Sequence, residues 1–330
     1  MSLRKVIQGV AVLTFAAALS APARADMGLA PVTVQGTYVS FEGGYLLQDA
    51  DGVIGHGVTS AAGVTSDIIV NPRDGWFAGG MIGFASNGPL IAGLPFRRVE
   101  AYGLYGETSA SASDTAPAGG DITIKAVDGD PLGRGLSSAA TSVDRRTVEG
   151  GLRFEYDDVL NATTSVTWVV APFIRNMQED GLTACGATCG VVQRSSDTES
   201  WLYGVVFAVE PEAWITPGVA LVGRLGAGVY GFDTDASFRS SSSLLPDTFA
   251  AQFSDGDSGV GFRLVLGAGL KFKLTEMARL ETFAEADYFS DVGTAQLSNN
   301  DPNDATASHA GTTDLWELRA GARLTIGFAP

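Results

Sequence analysis

Trp316-Glu317-Leu318-Arg319-Ala320-Gly321-Ala322-Arg323-Leu324-Thr325-Ile326-Gly327-Phe328 is the stretch that decides the architecture. Its even positions hold Trp, Leu, Ala, Ala, Leu, Ile and Phe, while its odd positions hold Glu, Arg, Gly, Arg, Thr and Gly. A helix, repeating every 3.6 residues, scatters both sets around its axis. A strand, repeating every two, sends one set to each face.

The same two-residue period recurs upstream. From Gly261 to Lys273, Phe262, Leu264, Leu266, Ala268, Leu270 and Phe272 oppose Arg263, Val265, Gly267, Gly269, Lys271 and Lys273. From Thr147 to Tyr156, Val148, Leu152, Phe154 and Tyr156 oppose Glu149, Arg153 and Glu155; from Val219 to Phe232, Leu221, Leu225, Ala227 and Val229 oppose Arg224, Gly226 and Gly228. Weaker copies lie at Thr33 to Leu46, Gly75 to Ala85, Arg97 to Glu107, Thr164 to Asn176, Trp201 to Glu210 and Arg279 to Phe289. Each is close to the nine to eleven residues that cross a bilayer as a tilted strand. Ten such segments predict an all-β, antiparallel transmembrane barrel; Asp121 to Val127, as a further strand or a hairpin above the membrane, leaves twelve open.

The connections alternate in length. Those at 48–74, 108–142, 177–199, 233–258 and 290–313 are long and rich in Asp, Ser, Thr, Gly and Asn; those at 86–95, 157–162, 211–217 and 275–278 are short. Long loops belong outside the cell and short turns at the periplasm. A soluble β-sandwich, the competing architecture, has no reason to sort its loops this way.

With the apolar parity outward, Trp76, Tyr105, Trp201, Tyr203, Tyr288 and Trp316 fall near the outer ends of strands, and Phe84, Phe154, Tyr156, Phe272 and Phe328 near the periplasmic ends. These form two aromatic girdles at headgroup level, with Trp168 the mid-strand exception. The opposite parity carries the lumen charges Arg98, Glu100, Glu149, Arg153, Arg224, Arg263, Lys271, Glu281, Glu285, Arg319 and Arg323, with Lys271 expected opposite Glu281. Such a lining fits a lumen plugged by paired side chains or a charged constriction that selects ions or small solutes. Parity does not choose between them.

At the N-terminus, Arg4 and Lys5 precede an apolar run from Val6 to Leu19 and then Ala23-Arg24-Ala25, the pattern of a cleaved export signal over 1–25 that leaves a barrel over 26–330. Its removal takes the net charge from −16 to −19. So acidic a chain repels nucleic acid. Export to an oxidising compartment predicts that Cys185 and Cys189, separated by Gly-Ala-Thr, close a short loop as a disulfide.

Chemistry is sparse. His56 and His309 both fall in long connections, without the acid-and-histidine spacing an outer-rim hydrolase needs, and no motif for a cofactor or a metal is present. The chain therefore reads as a non-enzyme whose partners are outer-membrane lipid and lipopolysaccharide.

Arg319, Gly321, Leu324, Ile326 and Phe328 resemble the terminal assembly signal of outer-membrane proteins, although Ala329 and Pro330 follow the aromatic residue. With the export signal and the strand pattern, the whole chain is similar to porin-like barrels and small pore-forming major outer-membrane proteins. That resemblance implies insertion by the barrel assembly machinery. It implies a small porin or a structural surface protein, with a loop-mediated adhesin, or a rim hydrolase, as the alternatives.

Overall fold

A computed structural model describes residues 36–50, 52–129, 131–185, 192–243, 249–298, 300 and 306–328. The expected export signal lies outside them. The described strands are β1 (Gly36–Asp49), β2 (Val53–Thr59), β3 (Thr65–Val70), β4 (Asp74–Ala85), β5 (Arg98–Thr115), β6 (Asp121–Lys125), β7 (Pro131–Leu136), β8 (Ser138–Asn161), β9 (Thr164–Cys185), β10 (Val192–Thr216), β11 (Val219–Ser242), β12 (Phe249–Lys273), β13 (Ala278–Gln296) and β14 (His309–Gly327). Ten of them close an antiparallel barrel in the order β1-β14-β13-β12-β11-β10-β9-β8-β5-β4, with β1 hydrogen-bonded to both β14 and β4. Closure removes the unpaired edges that hydrocarbon does not tolerate. Gly44 and Gly321 let β1 and β14 meet: a Cβ on Gly44 would lie 2.2 Å from the Ala320 carbonyl oxygen, and one on Gly321 2.3 Å from that of Gly43.

The ten-strand count matches the expectation, but the strands are longer than the alternation showed. β8 to β12 run 22 to 25 residues, about twice what a crossing needs. Much of the expected loops at 108–142, 177–199 and 233–258 is therefore wall that continues above the membrane. Polarity ends where the lipid ends, whereas backbone pairing does not.

The other four strands form a separate sheet in the order β3-β2-β6-β7. Asp121 to Val127, expected as a strand or a hairpin above the membrane, contributes β6 to it; β2 and β3 lie inside 48–74, which composition marks as loop. This sheet fills the outer mouth of the barrel. Val53, Val70 and Val127 pack with Val143 of β8, Ala236 and Phe238 of β11 and Ala295 of β13. Ile122, Ile124 and Leu136 pack with Ala139 of β8 and Val192 of β10. The approach is close: a Cβ on Gly55 would lie 2.3 Å from Thr141 Oγ1. Arg194 of β10, almost completely buried, donates to the carbonyls of Lys125 (3.4 Å), Ser298 (3.1 Å), Ile54 (2.6 Å) and Gly55. No carboxylate is among these acceptors, and burial pushes the guanidinium pKa down to about 10.

Above the membrane β12 leaves β13 after the pair Arg263–Phe289 and pairs only with β11. The free edge is blunted by its own side chains: Asp255 accepts from Gly256 N–H (3.0 Å) and Asp257 from Ser258 N–H (2.8 Å). Cys185, at the outer end of β9, is disulfide-bonded; Cys189 lies outside the described residues.

Candidate functional site

Within the membrane-crossing half, alternation turns one face of every strand into the barrel, and the structure places all eleven expected lumen charges along the cavities there. They are knit together. At mid-depth Arg263 contacts Glu149 (3.0 Å) and Asp287 (2.8 Å), Arg319 contacts Asp287 (2.9 Å) and Glu285, and Arg175 contacts Glu149 (3.2 Å) and Glu317 (2.5 Å). Arg175 and Asp287 are essentially without solvent exposure. Bare charges are untenable at that depth, so each must hold several partners at once. The planar guanidinium does this well, spreading its donors over two carboxylates.

Toward the periplasm the pairs continue. Arg153 contacts Glu155 (2.7 Å), Glu210 (2.9 Å) and Glu100 (3.2 Å); Arg98 contacts Glu155 (2.8 Å) and Asp157 (2.7 Å). Arg224 contacts Glu285 (2.7 Å) and Arg323 contacts Glu42 (2.6 Å). Lys271 does lie opposite Glu281 in register, yet its ammonium turns to Glu212 on β10, and Glu281 faces Arg323 at 3.8 Å. The lumen is narrow enough for side chains to reach across strands, so register alone does not choose the partner.

An aromatic layer is packed among these charges. Arg175 lies over the Phe289 ring at 4.5 Å, and Arg263 lies 4.7 Å from Phe289 and 4.9 Å from Phe173. Tyr230 packs edge-on against both rings and donates to the Ser290 carbonyl. Higher in the barrel, Arg145 pairs with Glu179 (2.5 Å) beneath the inserted sheet.

Free space shrinks along this path. The periplasmic cavity holds about 210 Å³, the space among the mid-depth charges about 40 Å³, and that above the aromatic layer about 20 Å³. One water takes about 10–15 Å³ on this measure, so the upper two hold only a few waters each.

Outside, the expected girdle residues face away from the lumen. Tyr288 packs on Trp316 (4.8 Å between rings) and Phe262 (5.4 Å), and Trp76 packs on Tyr105 (5.3 Å). Trp201 and Tyr203 are exposed on the outward face of β10, as are Phe84 and Phe328 at the periplasmic level, where Phe154 packs on Phe96. Phe272 shares the outward parity of β12. Trp168, expected mid-strand, pairs in register with Tyr156 and so belongs to the periplasmic band. The residues of the expected assembly signal, Arg319, Gly321, Leu324 and Ile326, lie on β14, the strand that closes on β1, with Phe328 just beyond its end.

Arg175, Glu42, Glu210 and Glu212 escaped the sequence reading. On β9 the lumen parity below Arg175 is Val169, Ala171 and Phe173, as apolar as the outer face, so alternation carried no signal there. Of the two histidines, His56 is fully buried on β2, with Nε2 3.1 Å from Asp114 and Nδ1 3.1 Å from Thr141 Oγ1. His309 is exposed at the start of β14, its Nδ1 3.4 Å from the Ala307 carbonyl oxygen. Among the described residues no group of three or more His, Cys, Asp or Glu could hold a metal ion.

No family model and no curated protein matches this sequence. Solved structures similar to it include the outer membrane protease OmpT of Escherichia coli, 9% identical, covering 90% of this chain and 98% of that one with a TM-score of 0.48. A major outer membrane protein of Thermus thermophilus is 14% identical (88% and 99% covered, TM-score 0.33), and the outer membrane protein OprG of Pseudomonas aeruginosa is 14% identical (92% and 100%, TM-score 0.29). The closed ring, the apolar exterior and the charged interior define the class. The chain is a closed, ten-stranded antiparallel β-barrel with an apolar exterior, the architecture of a transmembrane β-barrel.

Proposed function

We propose that the chain is a closed barrel that anchors a structured head at the cell surface, the structural-surface reading rather than the porin one. The observation that carries this is the mid-depth cross-section, where Arg175, Arg263 and Arg319 with Glu149, Asp287 and Glu317 span the lumen packed against aromatic rings. A porin holds its charges on the wall around water; here they meet one another across it. Purified full chain in a planar bilayer is expected to give no stepwise current. Currents whose selectivity follows charge reversal at Arg263 or Arg323 would establish the porin instead.

A groove supports surface binding as a second reading. Between the β2–β3 hairpin and the tops of β13 and β14 lies a space of about 830 Å³ lined by Ile54, Ile69, Leu297, Asn71, Arg73 and His309. An apolar floor with Arg73, paired to Asp49 at 2.9 Å, and polar Asn71 and His309 at its rim suits an amphipathic partner outside the cell. Ile69→Asp with Arg73→Glu is expected to lower adherence of cells displaying the chain while heat-modifiable gel mobility, the mark of an intact barrel, stays unchanged. Unaltered adherence rules the groove out.

A further inference from the structure

We propose that the periplasmic end of the lumen holds a subsite for a small oxyanion, carboxylate or phosphate, built on Arg279 together with Lys273 of the neighbouring strand. The two residues are direct cross-strand partners on the lumen face of β12 and β13. Like charges in that position repel, and a protein keeps them together at no gain unless something of opposite sign joins them.

Arg279 lines the periplasmic cavity of about 210 Å³ with five other cations, Arg98, Arg153, Arg224, Lys271 and Arg323, and with seven carboxylates, each of which is paired with one of those five. Each of those five has a carboxylate oxygen within 4.0 Å. Arg279 has none among the described residues, and its Nε and Nη2 are buried without a hydrogen-bond acceptor. Nε and Nη2 form one edge of the guanidinium fork, the pair of parallel donors that matches two oxygens of a carboxylate or phosphate. Lys273 holds only Glu276, an exposed turn residue three positions away. An anion at the end of the cavity that drew this edge outward would lie beside Lys273, which stands next to Arg279 across the two strands without itself lining the cavity. The volume admits phosphate or a four-carbon dicarboxylate and excludes an oligosaccharide. Conduction is immaterial, because the cavity lies on the periplasmic side of the mid-depth charges whether or not ions pass them.

The test uses the full chain in detergent micelles with ¹⁵N-labelled arginine, the Arg279 Nε–H signal being assigned by its loss in Arg279→Gln. Sodium phosphate and sodium succinate are titrated against sodium chloride at matched ionic strength. A saturable shift with one or both oxyanions, weakened about tenfold in Lys273→Gln, is the expected result. Phosphate acting alone marks a phosphate-bearing ligand, and succinate acting alone a carboxylate. An equal response to chloride, no saturation, or a response that Lys273→Gln leaves untouched would each overturn the site and mark Arg279 as an ordinary hydrated arginine. Heat-modifiable mobility of both variants confirms that the barrel is intact.

Discussion

β11 belongs to two different proteins along its length. In its lower half Leu221, Leu225 and Val229 face outward and Arg224 faces in; in its upper half Asp233, Asp235 and Arg239 face outward while Phe232, Ala236 and Phe238 face in. Apart from one register shift at its lowest pair, between Trp214 and Thr216, the backbone ladder to β10 and β12 runs through both halves without a break in parity. Only the surrounding solvent changes. Below the girdle the exterior meets hydrocarbon, so apolar side chains go out and the charges must find one another inside. Above it the exterior meets water, so the wall and the inserted sheet build an ordinary apolar core. A polar residue on such a strand is thus informative only once its height relative to the aromatic band is known.

The sharpest way to break this contrast is to remove a charge from the lower half. Arg175→Ala leaves Glu149 and Glu317 facing each other in a buried site and is expected to cost about 3–5 kcal/mol, read as a lower urea midpoint for the refoldable barrel. Replacing Arg175 and Glu317 together by Met should recover part of that loss, because one of the two stranded carboxylates goes with the arginine while Glu149 keeps Arg263 at 3.0 Å. Slightly smaller is the exterior comparison on β11. Leu225→Arg, facing lipid, is expected to cost about 2–4 kcal/mol. Asp235→Arg, ten residues higher on the same parity, should stay within about 0.5 kcal/mol. Equal costs would mean that no boundary between lipid and water lies between them.

Period-two alternation made the lower half legible, because in β8, β12 and β14 lipid and lumen select opposite residue types at every step. It faded in β9, where Val169, Ala171 and Phe173 face a lumen already lined with rings, so Arg175 stayed hidden. It failed in the upper half for a different reason. There Ser and Thr sit on both faces, inward as Ser196, Thr198 and Ser200 and outward as Ser195. A Ser- and Thr-rich strand reads as a loop unless its pairing partner is known. The inserted sheet was legible only at Asp121 to Val127, whose Ile122 and Ile124 have no lipid to meet and are buried with Leu136 and Val192 instead.

Breaking the head alone calls for Arg194→Met. The substitution keeps the bulk of the side chain and removes the donors that tie Ile54, Gly55, Lys125 and Ser298 to β10, at an expected local cost of about 2–3 kcal/mol. Faster hydrogen exchange across β2 and β6, with the gel mobility of the folded barrel retained, is the expected outcome. Loss of both together would show that head and barrel unfold as one unit.

The smallest effect tests the upper half from its wet side. Asp144, Asp180 and Asp197 lie directly opposite one another on β8, β9 and β10, facing water above the girdle. Partial burial, then the charge of Asp197 and that of Asp144, hold the Asp180 carboxyl above its usual range. A raised folded pKa means that the folded wall binds this proton more tightly than the unfolded chain. The corresponding stability is complete below the ordinary aspartate range of about 4 and is lost as pH rises through the folded value, so at neutral pH the row works against the fold. Asp180→Asn is therefore expected to stabilise the extension at pH 7 by about 0.5 kcal/mol, seen as slower exchange in the upper half of β9, and the advantage should vanish toward pH 3. High salt should shrink it too, because these charges are exposed to solvent. An advantage unchanged by both acid and salt would assign the gain to hydrogen bonding by the amide rather than to relief of repulsion along the row.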